Sequence, residues 1–103
     1  MAWIKVAKIG ELPPGSVMEI ARGEDLYAVC NVGGEIRALS GVCPHQGGPL
    51  GEGALSGSLV TCPWHMWEFD SEPGICTFSD DVRIPIYPVR LENDTILADL
   101  PSA

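Results

Sequence analysis

The tightest constraint on this chain is a pair of short segments, each carrying one cysteine and one histidine among residues that break regular structure. The first is Cys43-Pro-His45, followed by Gln-Gly-Gly-Pro-Leu-Gly, and the second is Cys62-Pro-Trp-His65. Residues 46–61 separate His45 from Cys62. Pro44 and Pro63 fix the local φ, and Gly47, Gly48 and Gly51 permit close backbone approach, so both segments suit loop tips better than helices or strands. A fold that brings the two loops face to face gathers two thiolates and two imidazoles.

The rest of the chain supplies strands to hold them. SVMEIAR, LYAVCNV and EIRALSG are separated by GED and by Gly33-Gly34, which predicts a three-stranded meander with hairpin turns. LVTC runs into the second loop and WEF leaves it; DSEPG is a turn and GICTF a short strand. IYPVRLENDTILADL reads as a final pair turning at Asn93-Asp94. No helical period persists for three turns, and ELPPG ends one short turn at most. Residues 41–81 are denser in Gly, Pro and aromatics than their flanks, which points to a small loop-rich unit inserted into an antiparallel β base. Trp3 reads as base packing.

With 103 residues the chain is expected to form one domain large enough to fold without staples. No apolar run approaches the roughly 20 residues that cross a bilayer, and MAWIKVAKIG lacks the apolar core of a leader, so a soluble, cytoplasmic protein is expected. A reducing compartment argues against a disulfide between the two remaining cysteines, Cys30 and Cys76, and both read as small buried core residues. Fourteen acidic residues against six basic give a formal charge of −8, which argues against nucleic acid and favours electropositive docking partners.

Three chemistries accept the Cys/His set. Tetrahedral zinc takes both donors, although zinc motifs more often pair like with like. A Cys/His nucleophile needs one such pair and not two. A [2Fe–2S] cluster with two cysteines on one iron and two histidines on the other explains why each loop carries one residue of each kind.

Cys43-Pro-His45, Cys62-Pro-Trp-His65 and the gap between them resemble the Rieske family, and the resemblance extends through Trp67-Glu-Phe69-Asp70 to Tyr87-Pro88-Val89. It implies an all-β Rieske fold over residues 1–103: an antiparallel β-sandwich base with an inserted loop-rich cluster-binding subdomain at about 41–81. By the resemblance Cys43 and Cys62 bind the inner iron of a [2Fe–2S] cluster, and His45 and His65 bind the outer iron near solvent. Where the respiratory branch has loop cysteines joined in a disulfide, this chain has Gln-Gly-Gly and Trp64. Where that branch has a serine and a tyrosine donating to the cluster sulfurs, it has Trp67 and Phe69. The third loop, which in the family often contributes a proline beside the cluster, falls at residues 77–81 and reads Thr-Phe-Ser-Asp-Asp.

Loss of sulfur donors favours the oxidised form, so a potential near the lower Rieske limit of about −150 mV is expected. That suits a soluble, monomeric electron carrier better than quinol oxidation. The chain accordingly resembles the Rieske ferredoxins of bacterial multicomponent oxygenases, which take electrons from an NADH-dependent flavoprotein reductase and deliver them to a terminal oxygenase, either a ring-hydroxylating dioxygenase or a diiron monooxygenase. CPHQ with His65-Met-Trp-Glu-Phe69 leans toward the toluene monooxygenase ferredoxins. Such a carrier has no catalytic residue of its own and docks transiently around the cluster loops, where Trp64 and Met66 are either docking contacts or shields. A small Rieske-like subunit of an assimilatory nitrite reductase is the alternative, and a structural zinc module the third reading.

Overall fold

A computed structural model describes residues 2–44, 46–64 and 66–101. The described residues form three antiparallel sheets. β1 (Ala2–Lys8), β12 (Thr95–Leu100) and β11 (Val89–Glu92) make the first, in that order. The second runs β10 (Ile86–Tyr87), β4 (Glu35–Ser40), β3 (Asp25–Val32) and β2 (Val17–Arg22). The third is a meander in chain order: β5 (Ala54–Ser56), β6 (Leu59–Thr61), β7 (Glu68–Asp70), β8 (Ile75–Cys76) and β9 (Ser79–Arg83). Among the described residues, two 3₁₀ turns, Ile9–Glu11 and Leu50–Glu52, are the helical structure, and no helix is long and apolar enough to cross a membrane.

The second sheet is the wall between two cores. On one side Tyr27, Val29 and Ala38 meet Ile96, Ala98 and Leu100 of the first sheet, with Leu12 from the connecting loop. On the other, Ala28, Cys30 and Leu39 meet Cys43, Leu50, Val60, Cys62, Phe69, Cys76 and Ile84. Alternate residues of β3 therefore face different cores, and its five central residues are all buried. A strand covered on both faces has no solvent side to mark with polar residues, which is why LYAVCNV reads as nearly continuous apolar sequence. Tyr87 packs edge-on to Tyr27, with ring centroids 5.4 Å apart, and so ties β10 to the base core.

The expected hairpins are present. The β2–β3 turn is Gly23-Glu24, with Arg22 opposite Asp25, and in the β3–β4 turn Gly33 and Gly34 have φ of 60° and 103°, as a tight hairpin of this hand requires. Asn93 takes the left-handed conformation, φ 58°, between Glu92 and Thr95. Trp3 lies on the outer face of the first sheet, with the Arg90 guanidinium 4.4 Å from its ring centre; part of its surface stays in solvent, so it is less a packing residue than its size suggests.

Several strands differ from the sequence reading: β5 is an additional strand, and IYPVRLE, expected as one member of the final pair, divides into β10 and β11 in different sheets. AWIKVAK, noted only for lacking a leader, is β1, paired with β12 at the far end of the chain. The stretch 77–81, expected as a third loop, is instead a two-residue turn, Thr77-Phe78, closed by Cys76 opposite Ser79, followed by the start of β9. Aspartates seldom favour strands, but Asp80 and Asp81 are exposed on an edge strand whose ends, Ser79 and Arg83, pair with Cys76 and Ile75, the two aspartates falling in the register shift between those pairs.

Asn31 anchors the base near its turns. It is buried, donates from Nδ2 to the Leu12 carbonyl at 2.8 Å, and accepts at Oδ1 from the Gly34 N–H at 2.7 Å. Asn31→Ala leaves both backbone groups without that partner, and a loss of about 1 to 3 kcal/mol in unfolding free energy is expected by denaturant titration.

Candidate metal centre

The chain leaves the base at Gly41, whose N–H donates to the Leu26 carbonyl at 2.8 Å. A Cβ there would lie 2.7 Å from the Tyr27 backbone nitrogen, so only glycine lets the first loop depart so close to β3. Val42 bridges to Pro49, Leu50 N–H donates to Gly41 O at 2.9 Å, and fully buried Leu50 plugs the loop into the core. Inside this bracket Cys43 is held at both ends of its peptide unit. Its N–H donates to Gly48 O at 2.9 Å and its carbonyl accepts from Gly47 N–H at 2.8 Å.

The second loop spans β6 to β7. Cys62 N–H donates to Trp67 O at 2.8 Å, closing the loop, and Trp64 N–H points at Cys62 Sγ from 3.4 Å. Met66 stands in the left-handed region with φ 60°, a conformation uncommon for a side chain of its size and of the kind that collects at functional loops.

The two loops touch through Gly48. A Cβ built on it would come within 2.5 Å of Cys62 Sγ and 3.1 Å of Trp64 Cβ, so the backbone of the first loop lies directly against the sulfur of the second. Cys43 and Cys62 are both essentially fully buried and share one core with Phe69. None of the four cysteines is in a disulfide. Of the four residues that the sequence marks as ligands, the structure thus brings the two cysteines to adjoining loops in one core, while His45 and His65 lie outside the described residues.

Cys30 and Cys76 are also buried in this core, as the sequence reading expected. Burial pushes the Cys30 thiol up from its ordinary range, against the weaker pull of a hydrogen bond with Ser71 and of the Arg37 charge. Arg37 reaches it only indirectly: its Nη1 donates to Ser71 Oγ at 3.0 Å, while Nη2 pairs with Glu35 at 2.7 Å and Glu72 at 3.6 Å. Cys30 is therefore held as a neutral thiol, which suits packing and not metal binding.

The loops and the adjoining turn expose several large apolar side chains. Val42, Trp64, Met66 and Phe78 are all exposed, Met66 at 68% and Phe78 at 62%. Trp64 and Met66 were legible as loop residues from the sequence. Phe78 fell within the 77–81 stretch expected as the third loop, but its contact was not legible: the pairing of Cys76 with Ser79 closes its turn, and its ring stands edge-on to Trp67 with centroids 4.7 Å apart. Gly48 was legible as permissive, but its partner sulfur was not.

Two buried thiols thus lie on adjoining loops, one of them addressed by a backbone N–H, and a model of the Rieske [2Fe-2S] domain matches residues 2–88. The chain belongs to the Rieske family. This Rieske chain is 35% identical over 101 residues to the ferredoxin component of biphenyl 2,3-dioxygenase from Rhodococcus jostii, covering 97% of this chain and 94% of that one. Among solved structures it superposes on the Sphingomonas yanoikuyae B1 ferredoxin with a TM-score of 0.86 at 25% identity, covering 97% of this chain and all of the other. It also superposes on a chain of the complex of reduced oxygenase and oxidized ferredoxin in carbazole 1,9a-dioxygenase, with a TM-score of 0.85 at 27% identity over 93% and 91% of the two chains. The cofactor of this Rieske chain is a [2Fe–2S] cluster of the Rieske type, and the buried, disulfide-free pair Cys43 and Cys62 fits it.

The contact at Gly48 is open to a direct check. Gly48→Ala drives a methyl group into Cys62 Sγ, so iron and acid-labile sulfide per chain are expected to fall by more than half. Far-UV circular dichroism should change little, because the base lies elsewhere.

Proposed function

We propose that the chain is a one-electron carrier between an NADH-dependent flavoprotein reductase and a terminal aromatic oxygenase. Its cluster is held by Cys43 and Cys62 on one iron and by His45 and His65 on the other. The observation that carries this reading is the exposed apolar collar of Val42, Trp64, Met66 and Phe78 around the two loops, on a chain that matches a dioxygenase ferredoxin along almost its whole length. When bound, the cluster supplies a centre that gains and loses a single electron.

The protein's own residues then have three tasks. Cys43 and Cys62 must lose their protons to bind iron, and the Trp64 N–H stabilises the negative charge that results on Cys62. Leu50 and Phe69 fill the core behind the sulfurs and exclude water from it. The collar gives a partner an apolar contact, which is the composition that short-lived interfaces use at their centres. Formal charge of −8 speeds encounter with a basic partner without making the complex tight. Relatives at 31% to 35% identity that match over more than nine-tenths of both chains include ferredoxin components of biphenyl and naphthalene dioxygenases, which favours that class over the diiron monooxygenases; a monomer working in the cytoplasm completes the proposal.

Reduction of the purified protein by a flavoprotein reductase, followed by stopped flow, is expected to slow severalfold as ionic strength rises from about 0.01 M to 0.15 M, since the Debye length falls over that range from about 30 to 8 Å. A rate indifferent to salt, or firm co-purification with a sirohaem protein, overturns the carrier reading in favour of a nitrite reductase subunit. The ligand assignment has its own check. His45→Cys and His65→Cys are each expected to retain some cluster at a lower potential, because a thiolate brings negative charge where imidazole brings none. A potential unchanged in both variants removes the histidines from the ligand set.

A further inference from the structure

Phe78 is among the most exposed large apolar side chains in the described structure, yet it is held in one place. Its turn is closed by Cys76 opposite Ser79. It is also fastened sideways to β7, where Thr77 N–H donates to Glu68 O at 3.0 Å and Thr77 Oγ1 donates to Glu68 Oε1 at 3.4 Å. Glu68 directly follows Trp67, and this fastening sets the phenyl ring against the indole at 4.7 Å with an interplanar angle of 84°. Trp67 in turn packs against the core group that contains Cys43 and Cys62, and its carbonyl accepts the Cys62 N–H at 2.8 Å. Sulfur core, indole and phenyl follow one another outward.

We propose that Trp67 and Phe78 form a two-ring cover that keeps water from the cysteine sulfurs on the β7–β9 side and thereby holds the reduction potential down. The inference rests on ligation by Cys43 and Cys62 as proposed above. It assigns Phe78 a role as a positioning and shielding residue, at the place where the family resemblance anticipates a proline. The physical reason is the charge added on reduction. Water reorients around a new negative charge and stabilises it, whereas a packed indole capped by a phenyl edge does so far less, and the apolar shell around a metal site sets its potential through this difference in solvent access. Without Phe78 the outer face of Trp67 is wet and its ring has lost one of its contacts.

Phe78→Ser in the cluster-loaded protein tests this, by a redox titration against a dye of known potential and by solvent-deuterium coupling to the reduced cluster in pulsed EPR. The equilibrium is expected to move toward the reduced cluster roughly threefold to tenfold, which at 59 mV per tenfold is about 30 to 60 mV. Deuterium coupling is expected to increase, and Phe78→Leu, which keeps an apolar cover, is expected to remain close to the parent in both. Should the serine variant yield little protein, Phe78→Ala serves the same comparison, since neither change removes a backbone hydrogen bond of the turn. A loaded serine or alanine variant with unchanged potential and unchanged deuterium coupling overturns the proposal. So does one in which only the rate of reduction by a flavoprotein changes, because Phe78 is then a docking contact and not a cover. Failure of the ligation reading looks different: the parent protein itself then lacks the EPR signature of mixed sulfur and nitrogen ligation.

Discussion

Everything in this structure hangs on one sheet being buried on both sides. β3 and β4 give Tyr27, Val29 and Ala38 to the base core and Ala28, Cys30 and Leu39 to the core behind the metal loops. Neither core could close without that shared wall, because the third sheet is a meander of very short strands that has little to bury except against β3, β4 and the loops themselves. Loops rich in glycine and proline have few internal restraints. Here they inherit rigidity from the sheet they lean on, through Gly41, Leu50 and the hydrogen bonds around Cys43.

The site itself is built from backbone more than from side chains. Cys43 is fixed by Gly47 and Gly48, Cys62 by the Trp67 carbonyl, and its sulfur is addressed by the Trp64 amide. Such contacts tolerate many side chains, because backbone groups and not side chains make them. They do not tolerate a β-carbon at Gly48, because there the approach of one loop to the other is closer than any side chain allows.

The legible part of this structure was whatever local chemistry dictates. Cysteine and histidine spacing named the family, Gly33-Gly34 and Asn93-Asp94 marked hairpins, and the apolar neighbours of Cys30 placed it inside. What stayed hidden depends on which segment pairs with which. AWIKVAK becomes a strand because TILADL, at the other end of the chain, is there to receive it. SDDVR becomes one because β8 offers its free side, and Phe78 meets Trp67 only once that turn is closed.

An apolar collar on a small protein invites self-association, and β9 makes the invitation harder to accept. It is the outer strand of the third sheet and begins immediately after Phe78. Asp80 and Asp81 stand exposed on it. Two copies approaching strand to strand, or collar to collar along this side, must bring four carboxylates together while stripping their water. A partner carrying lysine or arginine at the matching positions meets no such penalty. The same two aspartates that made the segment unrecognisable as a strand thus act as a filter, letting the sticky end of the molecule distinguish another protein from itself.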